Sequence, residues 1–353
     1  MNADDSNLGE FDLVRRFFQR RSAARSAASD AQSGVVLGIG DDAAVLALPP
    51  HTELIAAVDT IVAGRHFPHG TDARSIGHRA LAVNLSDMAA MGATPAWATL
   101  ALAIPDVDAA WLERFSAGLL DLADAHRVEL VGGDTVRGPL TVSVQILGHA
   151  PRGAALRRGG ARAGDLLAVT GTLGDAGAGL AFTLSDGAAG GPPADAPPIA
   201  EPRWAIQEVV RRFEYPQPRV QFGLAARGIA SAAMDLSDGL VADLPKLAQA
   251  SGLAARVAVE LLPLSEALRA AAPMEQARDW ALAGGDDYEL LLAVPAPRYT
   301  ELKSAAARLN LRLTVIGKLD SGSGVTWSHN GADFVPGVRG WDHFVQASTQ
   351  ITV

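Results

Sequence analysis

The sequence predicts an α+β N-terminal domain followed by an α/β C-terminal domain. Three observations predict it. The chain has 353 residues, more than one core usually organises. Short apolar runs alternate with stretches of helical period. The texture changes near residue 150, where a loop rich in Gly and Arg begins. Apolar residues make up 48% and aromatics only 5%, so Ala, Leu and Val must fill the cores.

The elements follow in order. Residues 8–25 read as a first helix that carries the basic run RRFFQRRSAAR (Arg15–Arg25) as a solvated face. VVLGIG and ELIAAVDTIV read as buried strands. Residues 72–93 have the 3.6 period of a helix, with Asp72 as N-cap and Gly92 as stop. WATLALAI is a strand and residues 108–126 a second amphipathic helix. VELVGG and LTVSVQILGHA are strands around a Gly-Asp turn. Together these give an α+β domain over residues 1–150. The second domain spans 151–345, with 346–353 as a tail. In it, LLAVTGTLGDAGAGLAF reads as strand, glycine turn and helix. SDGAAGGPPADAPP (185–198) is low-complexity and cannot bury a core. MDLSDGL, GGDDYEL and LRLTVIGKL then mark further strand ends and turns.

Composition excludes several functions. The formal charge is −9, and no basic stripe exists beyond Arg15–Arg25, which argues against nucleic acid. No apolar run approaches the roughly 20 residues of a membrane helix, and the start lacks a signal-type apolar core. There is no cysteine, hence no disulfide, thiolate metal site or cysteine nucleophile. A soluble cytoplasmic protein is expected.

The distinctive residues are acidic. Asp41 and Asp42 lie in GIGDDAAVL, Asp59 ends a strand, Asp87 sits on a helix and Asp134 lies in VGGDT. Asp235 and Asp238 lie in MDLSDGL, and Asp286 and Asp287 in AGGDDYEL. Any one could cap local backbone, and Asp41, Asp175 and Asp287 could be nothing more. As a set meeting in one cleft they would repel without a counter-ion. Magnesium suits such oxygen donors, because it is usually held by one or two carboxylates together with substrate phosphates. Zinc lacks Cys and a close His pair, and calcium lacks a compact ligand loop. Arg137, Arg157 and Arg158 are candidate phosphate clamps, or equally a solvated loop. GTLGDAG lacks the Lys and Ser/Thr of a P-loop, and no kinase HRD or DFG set is found.

Taken together, LGIGDDAAVL, VDTIVAGRHF, LVGGDTVRGPL, VTGTLGDAGAGL, DLSDGL, GGDDYEL and GWDHF resemble the thiamine-monophosphate kinase family, in order and across nearly the whole chain. This family is similar to aminoimidazole ribonucleotide synthetase and selenophosphate synthetase. The resemblance implies a dimerising N-terminal domain, ATP bound without a P-loop, and transfer of the γ-phosphoryl group of ATP to thiamine monophosphate. It implies Asp42, Asp59, Asp87, Asp134 and Asp235 as magnesium ligands, with Asp238 on a further ion. Gly133, Asp134, Arg158 and Ser237 correspond to ATP contacts, and His66, Asp286 and Trp341 to contacts with the thiamine phosphate. Three positions depart from the family pattern. Ala57 and Val58 stand where relatives often carry hydroxyls, so a metal contact there must use a backbone carbonyl. Asp286 stands where Glu is frequent.

The acceptor in such a reaction is already a phosphate, mostly dianionic at pH 7, so no general base is needed. Direct transfer without a phosphoenzyme is expected, with no acid–base residue. The alternatives are another ATP-dependent enzyme of the wider group, a non-catalytic magnesium–nucleotide module, and a phosphohydrolase. Cysteine-dependent members of the group fit poorly, since this chain has none.

Overall fold

The computed structural model describes residues 10–19, 34–187 and 202–341. Residues 20–25 of the expected first helix, 188–198 of the low-complexity stretch, 342–344 of GWDHF and the tail lie outside them. The chain divides into two compact units, residues 1–88 with 93–153, and residues 89–92 with 154–353.

In the N-terminal unit the chain opens on α1 (Glu10–Leu13), which continues as a π-helical turn (Val14–Gln19). Two short strands, β1 (Val35–Leu37) and β2 (Val45–Leu46), pair antiparallel. The main sheet contains β3 (Thr52–Val62), β4 (Thr94–Ile104), β5 (Glu129–Arg137) and β6 (Thr141–Pro151) in the order β3-β6-β4-β5. Only β4 and β5 run parallel. Helices α2 (Ala73–Ala90) and α3 (Ala109–His126) complete the unit. Asp108 caps α3 by accepting from the Ala110 and Trp111 N–H groups at 2.9 and 3.1 Å, which satisfies two of the donors a helix start leaves open.

The expectation of buried strands is corrected here. Leu54 and Val58 of β3 are 51% and 61% exposed, and Val36 of β1 is 70% exposed. β3 is an edge strand paired only with β6, and its exposure alternates residue by residue. An uninterrupted apolar run therefore covers two faces, of which one is half-buried within the unit.

The C-terminal unit holds β7 (Leu166–Thr170), β8 (Ala232–Leu236), β9 (Leu253–Ala258), β10 (Glu289–Val294), β11 (Leu313–Ser321), β12 (Gly324–His329) and β13 (Ala332–Phe334). Their order is β13-β12-β9-β11-β7-β10-β8. Strands and helices alternate along the chain as expected. Their pairing, however, is antiparallel everywhere except between β9 and β12, unlike the parallel sheet that such alternation usually builds. The helices that matter below are α4 (Asp175–Gly187), α5 (Arg203–Glu214), α6 (Val220–Ala226) and α7 (Leu240–Ser251).

This pairing positions the site. In β10, Glu289 lies opposite Leu236 of β8, and Leu291 opposite Val169 of β7. β10 thus begins where β7 and β8 end. The loops after Thr170, after Leu236 and before Glu289 gather at one end of the sheet, around strand β10, which is entirely buried. Among the described residues, no helix is long and apolar enough to cross a membrane.

Candidate functional site

In the N-terminal unit, Gly133 and Asp134 lie inside β5, which corrects the expected turn. The reason is a close approach of two strands. Gly133 has φ 155°, and a Cβ there would stand 1.9 Å from the Leu100 carbonyl oxygen of β4. The glycine serves contact with a neighbouring strand rather than chain reversal. Asp134 lines a cavity of about 860 Å³ together with Phe18, Ile39, Asp41, Asp42 and Gly133. That volume is within the range of small-molecule sites. Asp41 Oδ1 accepts the Asp42 N–H at 2.8 Å, so Asp41 caps its own turn as expected of a local role. Asp42 is exposed on that turn.

Asp59 is interior to β3 rather than at its end. Its N–H donates to Asn84 Oδ1 at 3.1 Å, and Asn84 Nδ2 donates to the Ala80 carbonyl of α2 at 3.0 Å. Asn84 is fully buried, so it fixes Asp59 against α2, one turn before Asp87. His66 Nδ1 accepts the Val62 N–H at 3.0 Å, which sets the ring against its own turn. Arg137 binds the Pro105 carbonyl at 2.9 Å and Asp106 at 2.8 Å, so it is held at the surface and is no free clamp.

In the C-terminal unit, Asp235 belongs to β8, with Ser237 and Asp238 directly after the strand. Asp286 donates its N–H to the Ser237 carbonyl at 2.8 Å, and Trp341 donates its own to the Asp238 carbonyl at 3.0 Å. Ser237, Asp238, Asp286 and Trp341 are thereby brought together. Arg157 accepts the Ala233 N–H on its carbonyl at 2.9 Å, and the next residue, Arg158, is exposed.

The loop before β10 is held in an uncommon shape. Asp286 and Tyr288 have φ of 60° and 48°, a region that costs a non-glycine residue about 1–3 kcal/mol. Tyr288 Oη donates to Asp286 Oδ1 at 3.1 Å. Between them Asp287 turns inward and accepts N–H groups of Gly174 at 2.7 Å and Ala176 at 3.3 Å. It clamps the glycine turn that begins α4. Burial pushes its carboxyl well above the usual carboxylate range, and the negative charges of Asp175 and Glu289 add to this, while the two N–H donors oppose it.

Several residues here escape sequence reading. Glu289 is 2% exposed, receives Thr170 Oγ1 at 2.6 Å, and makes a two-pronged pair with Arg219 through Nε at 2.7 Å and Nη2. Asp175 accepts from Thr172 at 2.6 Å and Ser265 at 2.5 Å, with Arg212 3.7 Å away. Asp243 and Lys246 of α7 face Asp238. A carboxylate heading the apolar run ELLLAV, and the i,i+3 pair Asp243–Lys246, were the available signals.

Among the described residues, no three His, Asp or Glu side chains are disposed to hold a metal ion on their own. The expected carboxylates therefore do not form a closed protein cage. Asp59, Asp134 and Asp235 lie on strands and Asp87 on a helix, whereas Asp42 and Asp238 lie in bends.

Comparison with known proteins places this architecture. The family model of the AIR synthase related protein, N-terminal domain, matches residues 40–150, and that of the C-terminal domain matches residues 162–329. The class is thus the two-domain AIR-synthase-related fold. Thiamine-monophosphate kinase of Escherichia coli (strain K12) is 44% identical over 337 residues, covering 95% of this chain and 98% of that protein. The crystal structure of thiamine-monophosphate kinase from Stenotrophomonas maltophilia K279a shares 43% identity with a TM-score of 0.80, covering 89% of this chain and 96% of that one. AaThiL complexed with AMPPCP and TMP shares 31% identity with a TM-score of 0.71, covering 96% of this chain and 97% of that one. The chain belongs to the thiamine-monophosphate kinase family.

Proposed function

We propose that this protein transfers the γ-phosphoryl group of ATP to the phosphate of thiamine monophosphate, giving thiamine diphosphate and ADP. The observation that carries this is the 44% identity over 95% of the chain to a thiamine-monophosphate kinase. A relative of similar fold, bound to AMPPCP and TMP, supports the substrate pair.

The residues take the following roles. In the N-terminal unit, Asp42, Asp59, Asp87 and Asp134 hold magnesium, and Gly133 and Asp134 contact ATP. In the C-terminal unit, Asp235 and Asp238 hold further ions, and Arg158 and Ser237 contact ATP. His66, Asp286 and Trp341 hold the thiamine phosphate. The donor set fits the metal, since every candidate ligand is a hard oxygen and magnesium completes its shell with water and substrate phosphate. A cation already stands against Asp238, where the Lys246 ammonium lies 2.7 Å from Oδ2. Ala57 and Val58 offer only backbone carbonyls beside Asp59.

The chemistry asks little of acids and bases. The acceptor phosphate is a competent nucleophile at neutral pH. The obstacle is that two unit negative charges 4 Å apart repel by about 4 kcal/mol at an effective dielectric near 20. Magnesium, when bound, supplies the neutralising charge. The chain's own part is to bind each anion: in the C-terminal unit Arg158 and Ser237 take ATP and Asp286 and Trp341 the acceptor, and His66 of the N-terminal unit is assigned to the acceptor by the family resemblance alone. A homodimer fits the exposed apolar residues Leu54 and Val58 on the edge strand β3. A cytoplasmic location fits a cysteine-free chain.

The test is a coupled assay for ADP with and without thiamine monophosphate, at varied magnesium. ADP release that needs both acceptor and magnesium is the expected outcome. Release of free phosphate without acceptor would instead support a phosphohydrolase, and no turnover at all a binding module.

A further inference from the structure

Lys246 is the feature of this site that the proposed roles leave unused. Its ammonium lies 2.7 Å from Asp238 Oδ2 and 2.9 Å from Asp243 Oδ1. The two carboxylates therefore face one common cation position. Asp243 is 1% exposed, and its second oxygen accepts the N–H groups of both Ser237 and Asp238 at 3.0 Å. Those bonds hold Asp243 Oδ1 at the common position whether or not Lys246 is there. The Lys246 side chain is 41% exposed, so its stem can release the ammonium to water.

We propose that Lys246 is a resident counter-ion, and that a divalent ion reaching Asp238 displaces its ammonium and takes Asp243 Oδ1 as a second ligand. This rests on the reading of Asp238 as a metal ligand. A buried carboxylate requires a compensating charge, and Lys246 supplies it to Asp243 and Asp238 at once. An ammonium and a divalent ion cannot share one position between the same two oxygens. Metal uptake here is thus an exchange, which lowers its affinity and holds the position until substrate phosphate adds negative charge. No bond to carbon or phosphorus changes in this step; one cation replaces another.

The experiment titrates Mn²⁺ alone into the metal-free full chain, read by electron paramagnetic resonance, with thermal melting in parallel. Lys246→Met and Lys246→Gln should tighten one class of Mn²⁺ sites by about tenfold, the scale of one removed charge contact at a partly exposed site. Both variants should melt lower than wild type in chelator and gain more from added Mn²⁺. Lys246→Arg keeps the charge and should keep the weak wild-type affinity. Asp243→Asn should weaken the same class. Unchanged or weaker Mn²⁺ binding in both Lys246→Met and Lys246→Gln would overturn the exchange. Asp238→Asn separates the two readings. Loss of one Mn²⁺ in Asp238→Asn without any gain in the Lys246 variants sinks only the exchange. Full wild-type binding in Asp238→Asn sinks the ligand reading itself.

Discussion

Tyr288 shows what a single hydroxyl does here. Asp286 is one methylene shorter than the Glu frequent at this position in the family, and Tyr288 Oη holds its carboxylate from behind at 3.1 Å. Tyr288 as a whole is 8% exposed. Tyr288→Phe removes that hydrogen bond, worth about 0.5–1.5 kcal/mol. The expected result is a KM for thiamine monophosphate raised by about three- to tenfold, with KM for ATP and the melting temperature unchanged. Steady-state kinetics with each substrate varied checks this. In an Asp286→Ala background the Phe change should have no further effect, because the hydroxyl acts through that carboxylate. An equal rise in both KM values, or a lowered melting point, would mark Tyr288 as packing alone.

At the scale of elements, helices were legible and sheet pairing was not. The period of α3 is local, so the run from residue 108 to His126 could be read directly, although its cap was not assigned. The exposure of Leu54 and Val58 depends on β3 having one neighbour, which no local pattern records. Gly132–Gly133 reads as a turn, because the need for glycine beside the Leu100 carbonyl comes from another strand. The acidic residues of the candidate site were legible as types at sheet ends. Their supports Asn84, Asp243 and Tyr288 were not, since each acts through a side chain distant in sequence or turned inward. Among these elements, α3 has a pH signature. His126, in the last turn of α3, has its pKa lowered by burial, with the nearby His78 adding to it. Its folded value lies below the unfolded 6.5, so the unfolded chain binds more protons between the two. The stability it confers is present above pH 6.5 and lost as pH falls through the folded value. Melting curves from pH 7.5 to 5.5 should show this loss, and His126→Gln should flatten it.

The whole molecule carries a formal charge of −9 and is proposed to act on two polyanions. Bound cations would reverse the local field where such substrates approach, and the carboxylates proposed to hold them serve either that metal or the fold. This separates two outcomes of the same substitution. If Asp87 and Asp134 served the fold, Asn would lower the melting temperature in proportion to the lost contact. If they serve the metal, Asn keeps shape and hydrogen bonding while removing the charge that magnesium needs. Asp134 is exposed within the 860 Å³ cavity, and Asp87 is only partly buried among fully buried neighbours on α2, so neither removal opens a void. Asp87→Asn and Asp134→Asn should therefore melt within a few degrees of wild type. Their turnover should fall by about a hundredfold or more, the scale seen when a charge-stabilising group is removed from a reacting centre. Raising magnesium should restore part of the rate in either variant if affinity is what was lost. Calorimetry and magnesium-dependent ADP release, measured on the same preparations, distinguish the cases. Wild-type turnover in both variants would remove these two carboxylates from the metal assignment and leave the fold argument untouched.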